Sequence, residues 1–450
     1  MSPECCPGVS MHPALFPELV GEPRGCPKEI PSASRSQAPF KVVLYSHDTF
    51  GLGHLRRNLA IAERLLAANG TFDVCLLTGS PVIHEWVLPH GLHVQPLPPV
   101  VKTGHERYVA RDPSRSFGMV KGYREALILK TILKERPDFF LVDHAPAGMN
   151  GELLSTLALI RREMPFVRTM IGLRDILDSP EIVRRTWQEQ HIYTLLEEAY
   201  DDILIYGNAQ LFDVAEGYGI SKSLASRIQY CGHIVASRAI QRGPQSDSSQ
   251  DLICWDPRET YDRPVVLVTA GGGGDGYFLM EAYLKALGRC GGQVPFYSVI
   301  VTGPLMSPAE IENLHALAKE RNDIAIIKCT TNLVPSIRRA DLVVAMAGYN
   351  TSAEIVAMGK PAILVPRAAP RAEQRLRAAL LQRLGAAWAI EPSPTLVDDL
   401  AYTLPRALEK APQEAHSNRT PLLDLHGADR LVKYFESITR LQVRSMECTA

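Results

Sequence analysis

Three groups of residues in this chain have the types and spacing to do chemistry. The first is His54, which follows Gly51-Leu52-Gly53 and opens a segment whose apolar residues Leu55, Leu59, Ala62 and Leu66 recur at helical spacing. A histidine in the first turn of a helix feels the positive end of the dipole and stays neutral near pH 7, as a general base for a hydroxyl must. The same position equally suits a histidine that caps the helix or lies beside a phosphate. The second group is acidic: Asp143 closes the apolar run FFLVD, and Asp48 stands just ahead of the glycine turn. Asp143 suits orienting His54, acting as base itself, binding an acceptor or capping its loop, and Arg174 and Asp175 after a later strand-like run are placed to touch an acceptor.

The third group lies in the second half of the chain. Four consecutive glycines, Gly271 to Gly274, follow the run PVVLVTA. Such a loop lets the backbone approach a phosphate with no Cβ in the way, although a tight βα turn needing positive φ asks for glycine too. Further on, VVAMAGYNTSAEIVAMGKPAILVP at 343–366 reads as buried strand, glycine turn, helix and second buried strand. The helix start around Gly348, Asn350, Thr351 and Ser352 suits an anion. Glu354 has two readings: a carboxylate for the two hydroxyls of a ribose, or the far end of a Thr351-x-x-Glu354 capping box.

These residues need elements to position them, and the chain supplies alternating β and α segments. Strand-like runs begin at Lys41, Val74, His93, Phe139, Val167, Ile203 and Ile228, with helical segments at 118–134, 151–162 and 182–200 between them. After the polar stretch GPQSDSSQ, runs at 264–270, 296–301, 324–328, 342–345, 362–365 and 387–390 repeat the pattern. This predicts an α/β fold of two Rossmann-like, doubly wound domains facing an interdomain cleft, where open parallel sheets bind ligands. The expected boundaries are a disordered leader at 1–39 with Met11 as an alternative start, a first domain at 40–235, a linker at 236–262, a second domain at 263–412, and a polar linker with a last amphipathic helix at 413–450.

Composition narrows the classes. A formal net charge of -1 with 22% charged residues gives no electrostatic reason for a nucleic-acid partner. Nine cysteines are scattered without a CxxC pair or a Cys/His metal spacing, so a reducing, cytoplasmic setting and no structural metal are expected. No apolar run approaches the roughly 20 residues of a membrane span, which leaves peripheral membrane contact at most. A dinucleotide-dependent dehydrogenase is disfavoured, because GLGHLR and GGGGDG both lack the third glycine of the G-x-G-x-x-G fingerprint.

In GGGGDG, TGP at 302–304, MAGYNTSAEIVAMGKPAILVPR at 346–367 and EQRLRAALLQRLGAA at 373–387, the second domain resembles the C-terminal donor domain of family 28 glycosyltransferases. These are GT-B enzymes that include the MurG-type N-acetylglucosaminyl transferases, and the GYNTSAEI wording is similar to a poorly characterised branch of predicted glycosyltransferases. The opening YSHDTFGLGHLRRNLAIAERL resembles the family's acceptor-side loop, which assigns Gly51 and Gly53 to the acceptor, while Asp48 and Arg174 join them on the acceptor side by their positions in the chain.

The resemblance implies that Glu354 binds the ribose and Gln374 the donor sugar. It puts Gly272, Gly273, Gly274, Thr302, Gly303, Gly348, Asn350, Thr351 and Ser352 around the nucleotide, with Arg367 and Arg371 as charge partners of the diphosphate. His54 and Asp143 become the catalytic candidates. The implied activity is an inverting, metal-independent transfer of a sugar from a nucleoside diphosphate sugar, UDP favoured, to a hydroxyl of a small-molecule, lipid-linked or glycan acceptor, with no cofactor. The alternatives are an epimerase or hydrolase of nucleotide sugars on the same fold, or a non-catalytic protein that binds them.

Overall fold

The computed structural model describes residues 38–48, 52–68, 70–104, 107–235, 263–289, 294–328, 333–368, 372–414 and 423–447. The expected linker 236–262, most of the expected leader, Gly51 and Arg371 lie outside the described residues.

The first domain is built on strands β1 (Phe40–Ser46), β2 (Phe72–Thr78), β3 (His93–Pro96), β6 (Phe139–Asp143), β7 (Arg168–Arg174), β8 (Asp202–Tyr206) and β9 (Ile228–Tyr230). They form one parallel sheet in the order β3-β2-β1-β6-β7-β8-β9. Between β3 and β6, β4 (Val100–Gly104) and β5 (Arg107–Ala110) make an antiparallel hairpin that the sequence reading missed. The helices are α1 (Gly53–Leu66), α2 (Phe117–Glu135), α3 (Leu154–Glu163), α4 (Pro180–Glu189), α5 (Ile192–Ala199), α6 (Val214–Gly217) and α7 (Lys222–Ala225). The single helical segment expected at 182–200 is two helices, broken where His191 takes φ 51°. The break lets Trp187 and Tyr193 meet edge to face at 5.5 Å.

The sheet is covered on both faces, as an all-parallel sheet must be. Val43, Tyr45, Phe140 and Val142 face one core, while Val42, Leu44, Phe139 and Leu141, alternating with them along the same strands, face the other.

The second domain repeats the plan with β10 (Val265–Thr269), β11 (Tyr297–Val301), β12 (Ile324–Ile327), β13 (Leu342–Ala345), β14 (Ala362–Leu364) and β15 (Trp388–Ala389), in the order β12-β11-β10-β13-β14-β15. Its helices are α8 (Tyr277–Arg289), α9 (Pro308–Ala318), α10 (Val334–Arg339), α11 (Tyr349–Ala357), α12 (Glu373–Arg383) and α13 (Leu396–Glu414).

The last helix described, α14 (Gly427–Glu447), packs on the first domain. Leu431 and Phe435 are fully buried there among Leu55, Phe72 and Phe139, Tyr434 donates to Asp202 at 2.7 Å, and Arg64 of α1 pairs with Asp429.

Both strand orders reverse direction once, between β1 and β6 in the first sheet and between β10 and β13 in the second. Carboxyl ends of strands at such a switch point are where open α/β sheets leave a crevice. His54 follows β1 and Asp143 ends β6, while the glycine loop follows β10 and α11 follows β13. Topology alone therefore gathers the chemically equipped residues at the two switch points.

Candidate active site

At the first switch point the structure brings His54 and Asp143 together, His54 Nδ1 lying 2.6 Å from Asp143 Oδ2. Asp143 is held by a residue that the sequence reading overlooked. Arg57, one turn along α1 from His54, donates from Nε to Oδ1 at 3.0 Å and from Nη2 to Oδ1 and Oδ2 at 2.8 Å each. The i,i+3 spacing of His54 and Arg57 on a predicted helix was the available signal. Burial pushes the Asp143 carboxyl up, but Arg57 and His54 more than offset this and hold it at about 2.

An ionised Asp143 only accepts, so Nδ1 of His54 carries the ring proton toward it and Nε2 keeps the lone pair. Arg57 Nη2 at 3.0 Å from Nδ1 is then an electrostatic neighbour rather than a donor to that nitrogen. Burial lowers the His54 pKa, Asp143 opposes, and Arg57 and Arg174 lower it further, to about 4. The imidazole retains 14% side-chain exposure. Two further histidine rings pack near it, His144 at 5.0 Å and His47 at 5.7 Å. Asp48 is not part of this pair: Thr78 Oγ1 donates to it at 2.5 Å, and burial, with no cation bonded to it, raises its carboxyl to about 6.

At the second switch point, helix α11 starts on Gly348 as N-cap with no side-chain cap, and Thr351 stands inside the helix. The capping-box reading of Thr351 and Glu354 is thereby corrected: a cap must precede the helix, and here the glycine does. Glu354 is buried and pairs through Oε1 with Arg56 of the first domain, while Oε2 has no hydrogen-bond partner among the described residues. Asn350 Nδ2 donates to Gly53 O at 3.0 Å, so the first turns of α1 and α11, one from each domain, meet. Ser352 Oγ and Thr302 Oγ1 are likewise buried without a hydrogen-bond partner among the described residues.

The glycine loop has a packing reason of its own. Gly273 takes φ 87° and a Cβ there would collide with the carbonyl of Thr302, while Gly303 takes φ 83° against Gly271 and Gly272. Gly271 reaches toward α11, where a Cβ would sit 3.5 Å from Thr351 Oγ1.

Gln374 and Arg367 form a group within the second domain. Gln374 Oε1 accepts from Arg367 N at 3.1 Å, and the Arg367 guanidinium pairs with Asp275 at 3.0 Å and with Glu373. Arg174 stands at the end of β7, and its charge lowers the pKa of both His54 and Glu373, which puts it between the domains.

Asp175, expected on the acceptor side, belongs to a second interdomain group whose other members were missed. His233 Nε2 lies 3.2 Å from Asp175 Oδ2, Arg377 Nη2 lies 3.7 Å from Asp175 Oδ1, and Asp178 accepts from Ala372 N at 2.8 Å. Among the described residues no group of three or more His, Cys, Asp or Glu is arranged to hold a metal ion, and no helix is long and apolar enough to cross a membrane.

This layout is shared with solved structures of the GT-B fold. The chain is similar to MurG of Acinetobacter baumannii (15% identity, TM-score 0.54, 89% of this chain and 99% of that one). It is also similar to Os79 of O. sativa in complex with UDP (13% identity, TM-score 0.60, 88% and 99%). A proposed UDP-N-acetylglucosamine 2-epimerase of Listeria monocytogenes has the same fold (16% identity, TM-score 0.60, 89% and 97%). No curated protein sequence matches the chain. Fold and site thus define a GT-B protein with a complete pair of Rossmann-like domains. Residues 265–431 match the family model of the glycosyltransferase family 28 C-terminal domain.

Proposed function

We propose that the protein transfers a sugar from a nucleoside diphosphate sugar, with UDP the favoured nucleotide, to a hydroxyl acceptor, inverting the anomeric carbon and requiring no metal. The observation that carries this reading is the contact of His54 Nδ1 with Asp143, which leaves Nε2 as the basic nitrogen, on the helix whose first turn meets that of α11. Two helix N-termini and Arg174 favour the negative charge that grows on a departing diphosphate. Nε2 of His54 takes the proton from the acceptor hydroxyl as its oxygen bonds to the anomeric carbon. The bond from that carbon to the diphosphate oxygen breaks on the opposite face, and the electron pair leaves with the diphosphate. Glu354, Thr351, Ser352 and Gln374 bind the donor, and Asp48, Gly51 and Gly53 border the acceptor.

Nucleotide-sugar epimerisation or hydrolysis is the second reading, favoured by the fold likeness to the proposed Listeria epimerase. A calorimetric or thermal-shift screen against UDP, GDP, dTDP and ADP sugars names the donor by selective stabilisation. The stabilising sugar, incubated with EDTA present, is then followed by NMR with and without candidate hydroxyl acceptors. Transfer with inverted anomeric configuration is expected. Rapid epimerisation or hydrolysis without acceptor would replace transfer as the activity.

A further inference from the structure

The proposed base has a second layer of control, and it comes from across the domain boundary. Arg57 is buried, with 2% side-chain exposure, and its three hydrogen bonds to a carboxylate all go to Asp143. Its guanidinium is packed between two aromatic rings, with Cζ 5.5 Å from the centroid of Tyr206 and 5.5 Å from that of Tyr349. Tyr206 ends β8 of the first domain, whereas Tyr349 is the first residue of α11 in the second.

Tyr349 is fastened into the first domain through its hydroxyl and its ring. Its hydroxyl donates to Tyr206 O at 2.9 Å and accepts from Ile234 N at 3.0 Å, and its ring stacks on His233 at 5.4 Å. Arg377 of its own domain lies over the same ring at 5.6 Å.

We propose that Arg57 is a positioning residue for the base, fixing Asp143 and through it the tautomer and charge of His54, and that Tyr349 holds Arg57 in place only while α11 is docked. The proposal rests on His54 being the base. The groups that face His54 are Asp143 from β6, Arg57 from α1, Arg174 from β7, and the His47 and His144 rings that follow β1 and β6. Asp143 alone among them favours an imidazolium; Arg57 and Arg174 oppose it. With Arg57 in place, Asp143 orients the ring without charging it. Once Arg57 is displaced, the buried carboxylate favours the protonated ring more strongly and the His54 midpoint rises. Separation of the domains therefore loosens the setting of the base.

The test is a nitrogen NMR titration of the His54 ring in the full-length protein labelled at histidine, with the signal assigned by its loss in His54→Gln. The wild type should show the Nδ1–H tautomer and a midpoint near 4. Arg57→Gln should raise that midpoint by about one unit or more, and Tyr349→Leu should raise it by less. Tyr349→Phe, which keeps the ring over Arg57, should leave it in place. An unshifted midpoint and tautomer in folded Arg57→Gln and Tyr349→Leu overturn the proposal, and Tyr349→Leu decides alone where the arginine variant does not fold. The acid limb of the kcat profile should move with the NMR midpoint. If His54→Gln retains wild-type kcat while the NMR shifts appear, it is the assignment of His54 as base that fails, and the positioning role of Arg57 stands.

Discussion

Two buried carboxylates meet adjacent arginines of one helix, and the molecule treats them differently. Asp143 is gripped by Arg57 and His54 so that both its oxygens are engaged, inside one domain and with almost no exposure. Glu354 meets Arg56 across the domain boundary through one oxygen only, and Arg56 keeps 18% of its side chain exposed. The first arrangement is preorganised, since protein groups already satisfy the charge that orients His54. The second is exchangeable, because a ligand with paired hydroxyls can use the second oxygen of Glu354 and displace an arginine that water already reaches. A third carboxylate, Asp48, shows what burial does when no cation is bonded: its pKa rises to about 6, whereas that of Asp143 falls to about 2.

The largest effect should come from breaking the first arrangement. Asp143→Asn leaves Arg57 buried without its counter-ion and removes the acceptor that sets the His54 tautomer. We expect kcat to fall by about 10³–10⁴-fold and stability by about 3–5 kcal/mol, measured by steady-state kinetics and denaturant melts. A variant with near-normal kcat would remove Asp143 from the catalytic unit.

The Asp48 contrast is read in stability against pH. A carboxyl whose pKa is raised in the folded state contributes stability that is complete below its ordinary value of 3.8 and is lost as pH rises through about 6. His54, lowered from 6.5 to about 4, and His47, also lowered by burial, work in the opposite direction over nearly the same window and mask the Asp48 contribution in the wild type. Asp48→Asn removes only the first term. Its stability relative to wild type should therefore climb by about 2.5 kcal/mol between pH 4 and pH 7, and a parallel pair of curves would refute the burial account.

The gentlest test addresses the exchangeable pair. Glu354→Gln should weaken donor binding by about 1–3 kcal/mol with little change in kcat at saturating donor, as read by calorimetry and kinetics. Lost thermal stability with unchanged donor affinity would make Glu354 an interdomain strut and no ligand-binding residue.

The architecture was legible because fully buried parallel strands announce themselves as apolar runs, and both sheets contain the strands that those runs predicted. The hairpin β4–β5 was not legible, since Val100, Val101, Tyr108 and Val109 are too few and too interrupted by polar residues to stand out as strands. The pairing of His54 with Asp143 was legible because one follows a glycine turn after a strand and the other ends a strand of the same sheet. Arg57 was missed because an arginine on an amphipathic helix ordinarily faces water, and only the fold shows that this one turns inward. Glu354 was read against Thr351 because sequence spacing offers local partners, whereas its real partner, Arg56, lies 298 positions away. Long-range ion pairs leave no periodic trace.

Helix α14 also bears on how the polypeptide is made. Its Phe435 packs at 4.8 Å from Phe139 and 6.1 Å from Phe72, side chains of the first sheet that leave the ribosome long before it does. Domains generally fold in order of synthesis, but part of this sheet's face stays bare until α14 has been translated. The nascent first domain is therefore an unfinished surface until the second domain and α14 have been made, and a helix from beyond the second domain closes the first core.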